Sequence, residues 1–198
     1  IVEVNTTQPL GLVGMADIYM RKNPPHCEPI PILHAGDRIG KPYIKCDPSK
    51  IVAIVPCDMP DVTRALAPLD DDAEAMGNNL VEFLTNEVKH GRLPENLLPL
   101  QSGVGNVANA VIHGLVESRF KNLSVYTEVI QDGMFELIDK DKIDMISGTS
   151  LSPSPEGLKR FYDNIEKYNK KIVLRPQEIS NNGEVVRRIG VIGMNTAL

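Results

Sequence analysis

Apolar and polar positions along the chain follow two regimes. As far as about Pro68 they hold no long helical rhythm. Prolines recur through "NPPHCEPIPILHAGDRIGKPYIKCDPSK", and only "IVEVN" at Ile1 and the β-branched "IVAIV" from Ile51 to Val55 read as strands. Proline removes a backbone donor and breaks helices, so loops and short extended segments are expected there. From Asp70 the pattern changes. Ala73, Met76, Leu80, Phe83, Leu84 and Val88 recur at helical spacing until Gly91, behind an acidic run of Asp70, Asp71 and Asp72 that can cap and favourably charge a helix start.

Short apolar runs and helical patterns then alternate: "LLPL" (strand), "NVANAVIHGLVESRF" (helix), "LSVYT" (strand), "MFELIDK" (short helix), "IDMIS" (strand), "SPEGLKRFYDNIEKY" (helix) and "KIVLR" (strand). In the last helix Ser154 is placed as N-cap and Pro155 at the first helical position, with Leu158, Phe161, Ile165 and Tyr168 as the buried stripe. The alternation predicts an α/β fold with a mostly parallel sheet flanked by helices and its sites at the carboxyl ends of the strands. We place a boundary near Ala65 to Asp70. The chain begins directly in a strand-like run and ends on the strand-like "GVIGM" and a turn, which reads as the middle of a longer polypeptide.

Composition narrows the classes. The 198 residues, 42% of them hydrophobic, are enough for a packed core, and a net charge of −5 with both signs mixed leaves no basic face for DNA or RNA. No apolar run reaches the length of a membrane span, and no basic stretch is followed by an apolar run in the manner of a signal peptide. Cys27, Cys46 and Cys57 are odd in number and form no paired C-x-x-C, so three reduced, mostly buried thiols are expected. A metal site built from His26, Cys27, His34 and Cys57 is conceivable, but nothing in the spacing asks for it, and no metal is expected.

Candidate chemistry gathers in "LPLQSGVGNVANAV". Gly103-Val104-Gly105-Asn106-Val107-Ala108 satisfies G-x-G-x-x-A between a strand and a helix, and Glu128 ends the next strand. Glycines permit a tight turn, and the free N–H groups of a helix start attract phosphate. This is the fingerprint of an NAD site, with Glu128 on the ribose. Coenzyme A also carries a pyrophosphate, so the turn alone does not discriminate. Glu128 stands between Thr127 and Val129, where a strand gives way to a loop; there it can bind a ribose, cap something local, or act as a nucleophile toward an acyl group.

Four segments in this order, "LPLQSGVGNVANAV", "YTEVIQDG", "LRPQEISN" and "RRIGVIGMNTAL", together with "IVEVN" and "DRIGKPYI", resemble the acetyl-CoA hydrolase/CoA-transferase family over nearly the whole chain. The resemblance implies parts of two CoA-transferase-type α/β domains, with residues 1–67 the end of the first plus an interdomain segment and 68–198 the start of the second, in a protein that is usually a homodimer. It implies acyl-CoA and a small carboxylate as substrates, coenzyme A as the carried group, and a cytoplasmic or mitochondrial-matrix setting. Residue by residue, the family's nucleophile falls on Glu128. Its oxyanion-hole amide falls on Asn181, and the turn lining the acyl-CoA site falls on Gly103, Val104, Gly105, Asn106 and Asn109. Glu128 would attack the thioester to give an acyl-glutamyl anhydride, then a glutamyl-CoA thioester, which an acceptor carboxylate resolves; water at either intermediate gives hydrolysis. A second oxyanion donor and further CoA contacts would lie beyond these residues, so the isolated chain is expected to be inactive.

Other residues admit plainer readings. By pattern alone Asn182-Gly183 is a turn signal and Asn181 a backbone-bonding neighbour. Asp37-Arg38 and Arg64 could meet phosphates or a carboxylate, but ion pairs suit them better, and a structural ion pair is likewise expected within Arg175-Pro176-Gln177-Glu178. An NAD-dependent oxidoreductase and a non-catalytic acyl-CoA-binding piece remain the alternative functions.

Overall fold

Leu100, Leu123, Ile143 and Ile172 each sit fully or almost fully buried on a short strand, and these strands lie side by side in one sheet. A computed structural model of the protein describes residues 1–63 and 69–194; of Met194 only the backbone is described. The strand β1 (Val2–Asn5) pairs in parallel with β2 (Ile54–Cys57), the latter three residues downstream of where the β-branched run begins. Between them the proline-rich segment forms loops, two short 3-10 turns and isolated bridges, as its missing donors require.

Helix α1 (Asp71–Lys89) opens where the sequence places it, Asp70 Oδ1 accepting from the Ala73 N–H at 2.7 Å. It packs lengthwise on α2 (Asn106–Glu117), which follows β3 (Leu100–Ser102). The close approach depends on Gly77, where an added Cβ would lie 2.7 Å from the Ala110 backbone. Then come β4 (Leu123–Tyr126), β5 (Val129–Ile130), α3 (Asp132–Asp139), β6 (Ile143–Gly148) and β7 (Ser150–Leu151). The predicted last long helix is broken in two, α4 (Pro155–Asp163) and α5 (Ile165–Tyr168), because Asn164 leaves the helical region at φ −121°, ψ 25°. Ser154 caps α4 as expected, Oγ accepting from the Gly157 N–H at 3.0 Å. Finally β8 (Ile172–Leu174) leads through α6 (Gln177–Ser180) and α7 (Gly183–Ile189) to β9 (Ile192–Met194).

The five-stranded sheet runs β8-β6-β4-β3-β9 with every pairing parallel, and β5 with β7 forms a two-stranded parallel extension. Successive residues of a strand point to opposite faces. Val125 therefore joins α2, α3, α4 and α5 in one core, where Phe135, Phe161 and Tyr168 stack with centroids 5.2–5.6 Å apart. Its neighbour Tyr126 joins Ile179 and Val185 in the opposite core. From β3 the crossovers advance one way, to β4, β6 and β8, and the chain then returns past them to place β9 on the other side of β3. The carboxyl end of β3 thus stands at the reversal of strand order, the usual crevice of such sheets.

The segment before β2 belongs to these same cores. Met15 is buried with the α2–α5 layer, and Ile30, Ile32 and Ala35 are buried beside Tyr126 and Ile179. The boundary placed at Ala65 to Asp70 begins in residues 64–68, which lie outside the described ones. The cysteines depart from expectation: Cys27 and Cys46 are exposed and Cys57 is half-buried, because they ride on the thinly packed loops and ribbon rather than in a core.

Candidate active site

Ser102 and Thr127 lock the ends of β3 and β4 together. The Thr127 hydroxyl donates to the Ser102 carbonyl at 3.0 Å, and both residues are buried. Leu100 is in register with Val125, so the next positions beyond this lock, Gly103 and Glu128, leave adjacent strands side by side. On one side the glycine turn opens α2. Gly105 is its N-cap with φ +133°, which a side chain would strain, and no side chain caps the helix. Asn106 is its first residue, the Asn109 N–H bonds the Gly105 carbonyl at 3.0 Å, and Val104 is exposed. The end of α2 thus presents N–H groups outward, the arrangement that favours an anion.

On the other side Glu128 is held by both its backbone and its side chain. Its carbonyl accepts from the Thr149 and Ser150 N–H groups at 2.8 and 3.1 Å, which fixes the residue between β4 and β5. Its carboxylate accepts from Gln177 Nε2 at 3.1 Å on Oε1 and from Asn181 Nδ2 at 2.9 Å on Oε2. Gln177 and Asn181 are four residues apart on α6 and its C-cap, and i, i+4 spacing puts two side chains on one face. Each carboxylate oxygen therefore has its own amide donor, and the plane of the nucleophile candidate is set.

The helix carrying these amides is anchored from below. Arg175, fully buried, forms an ion pair with buried Asp17 and donates from Nε to Ser147 Oγ at 2.8 Å. Its remaining donors reach the Ala35 and Asp37 carbonyls. Burial pulls the Arg175 guanidinium below its ordinary range while Asp17 pulls it back. The Tyr126 hydroxyl donates to the Ile179 carbonyl at 2.8 Å, tying α6 to β4, and burial pushes that phenol up to about 12. Beside Asn181 opens a cleft of about 280 Å³ lined by Gln101, Tyr126, Thr127, Ser180, Asn181 and Val186 among others.

The sequence reading of Arg175 as part of a structural ion pair agrees with this arrangement. Asp37 and Arg38 serve the loop: Asp37 Oδ2 accepts from the Leu33 and His34 N–H groups at 2.8 Å, and Arg38 donates to the Gly14 and Ala16 carbonyls. Arg64 lies outside the described residues. Asn182-Gly183 is not a bare turn. Asn182 caps α7, its Oδ1 accepting from the Glu184 and Val185 N–H groups, and Gly183 begins the helix. Arg175-Pro176-Gln177-Glu178 reads from the sequence as a strand end near the site with a structural role, so the contact of Gln177 with Glu128 is the departure; its spacing from Asn181 was the available signal. Among the described residues no group of three or more His, Cys, Asp or Glu is placed to hold a metal, and no helix is long and apolar enough to cross a membrane.

No family model matches the chain. The chain is 60% identical over all its 198 residues to a succinyl-CoA:acetate CoA-transferase of Clostridium kluyveri, and 50% identical over 196 residues to an acetyl-CoA hydrolase of Schizosaccharomyces pombe. It spans 37% of the length of each. Among solved structures, 73% of it superimposes on a 4-hydroxybutyrate CoA-transferase from Porphyromonas gingivalis at TM-score 0.56 and 24% identity, covering 35% of that chain. RipA from Yersinia pestis matches the same share at TM-score 0.58 and 19% identity, with 32% of its own chain covered. The fold is therefore that of CoA-transferase-type α/β proteins, and over this 37% of its relatives' length the chain is similar to succinyl-CoA:acetate CoA-transferase and acetyl-CoA hydrolase.

Proposed function

We propose that the protein to which this chain belongs moves CoA between an acyl-CoA of the acetyl or succinyl type and a small carboxylate, through a glutamyl-CoA thioester on Glu128. The observation that carries the reading is the carboxylate itself, set between the amides of Gln177 and Asn181 and beside a glycine turn at the reversal of strand order. The relatives' names, rather than the turn, favour CoA over a dinucleotide.

Glu128 attacks the thioester carbonyl, giving an acyl-glutamyl anhydride and CoA thiolate; the thiolate then attacks the glutamyl carbonyl and releases the acid. An acceptor carboxylate reverses both steps. Asn181 is the side-chain donor for the oxyanion of the acyl group, and the start of α2, from Gly103 to Asn109, receives the CoA moiety through its N–H groups. Water reaching either intermediate converts transfer to hydrolysis, so the balance rests on how well the closed site excludes it. A homodimer in a reducing compartment is the accompanying expectation.

The test is mass spectrometry of the full-length protein after brief incubation with acetyl-CoA, searching for CoA on the peptide that contains Glu128. An adduct that vanishes in Glu128→Ala supports the reading. Its absence from the active wild-type protein overturns it.

A further inference from the structure

The two amides on Glu128 serve different oxygens, Gln177 on Oε1 and Asn181 on Oε2. In the reaction proposed above, charge also develops on different oxygens at successive steps. When Oε2 attacks, it bonds to the thioester carbonyl carbon, the carbon–sulfur bond breaks, and CoA leaves as the thiolate. The lone pair with which Oε2 attacks must be free of any donor, and Asn181 is the donor that turns from Oε2 to the acyl oxygen. Oε1 takes no part as nucleophile. It becomes the carbonyl oxygen of the glutamyl half of the anhydride.

In the second step the CoA sulfur bonds to Cδ of Glu128, the Cδ–Oε2 bond breaks, and the acyl group departs as a carboxylate that carries Oε2 away. The charge of this tetrahedral species resides on Oε1, the oxygen that Gln177 already faces. We infer that Gln177 is a further catalytic residue, the oxyanion donor for attack at the glutamyl carbonyl, as Asn181 is for attack at the acyl carbonyl. The assignment rests on Glu128 as nucleophile. It extends to the return half of the cycle, because an acceptor carboxylate attacking the glutamyl-CoA thioester again charges Oε1. A donor already aimed at that atom needs no reorganisation when the charge arrives.

The experiment uses the full-length protein with Gln177→Met, which keeps the length of the side chain and removes the donor, and Gln177→Ala as a second variant. Gln177 is exposed at the start of α6, so the fold withstands either change, which equal melting temperatures verify. Each protein is mixed with acetyl-CoA without acceptor, and CoA bound to Glu128 and free CoA are quantified over the first turnover. Loss of one oxyanion donor slows thiolate capture about 10²-fold, so water takes the anhydride and the ratio of free CoA to adduct rises by a similar factor in both variants. An unchanged ratio, whether the rates fall together or stay as they were, overturns the role of Gln177 and leaves Glu128 in place. A wild-type protein that forms no adduct overturns both.

Discussion

Asp17 and Arg175, 158 residues apart, meet as an ion pair with side-chain exposures of 2% and 0%. The Asp17 carboxylate also accepts from the Ile39 and Gly40 N–H groups, while Arg175 directly precedes Pro176 and the helix that carries Gln177 and Asn181. One buried contact thus joins the amino-terminal segment to the platform beneath Glu128. Removing one partner leaves a buried charge without compensation. Asp17→Ala is expected to cost ~3–5 kcal/mol in urea denaturation, whereas Asp17→Ala combined with Arg175→Leu recovers part of that loss.

Asn181 is expected to act at the transition state rather than in binding. In the full-length protein Asn181→Ala should lower kcat about 10²- to 10³-fold with little change in the KM for acyl-CoA. Steady-state kinetics decide: a rise in KM at constant kcat would place Asn181 in ground-state binding instead.

Asp139 ties α3 to α4 and α5. It accepts from Lys167 Nζ at 2.5 Å, Arg160 Nε at 2.8 Å and the Tyr168 hydroxyl at 2.9 Å. Burial raises its pKa, but these bonds outweigh burial and hold the carboxyl below the usual value of 3.8. A depressed folded-state pKa contributes stability that is present above the unfolded value and lost as pH falls through the folded one. Asp139→Asn should therefore be less stable than wild type at neutral pH, and the difference should shrink in melts below about pH 4.

Gly77 sets the sign of a substitution that helix propensity alone predicts wrongly. Alanine in an exposed helix interior gains roughly 1 kcal/mol over glycine. Here its Cβ would meet the Ala110 carbonyl carbon and oxygen at 2.7 Å, and backbone of α2 cannot step aside as a flexible side chain can. Gly77→Ala is expected to destabilise by ~1–3 kcal/mol in chemical denaturation, as overpacking does. A stabilised variant would mean that α1 and α2 separate at little cost.

Long elements were legible because their signals are local and repeated. Asp70 with the spacing from Ala73 to Val88 marks α1, and Ser154-Pro155 marks α4, each within a few residues of the bond it makes. Helices α6 and α7, of four and seven residues, are too short to display a period, and Asn181-Asn182-Gly183 between them reads as a turn. The cysteines misled for a related reason: burial is a property of the packed neighbourhood, and their neighbourhood is loop. At the site the glycine turn and Glu128 stood out as strand-end features, and a resemblance singled out Asn181, whereas Gln177, within the same "LRPQEISN", was given no role of its own.

By itself the sequence determined the longer helices and the main strands from β3 to β8, and that a run of strand–helix–strand units would close into a parallel sheet, since right-handed crossovers leave few other arrangements. It also determined that a glycine turn and a carboxylate would end adjacent strands. Only the tertiary structure decided that β9 lies beside β3, that α6 covers the face opposite α2, and that Glu128 meets Gln177 and Asn181 from 49 and 53 residues away. Local hydrogen bonds and apolar periods are written within a turn or two of chain. Contacts across such separations exist only once the summed burial of the two cores offsets the entropy of bringing their segments together.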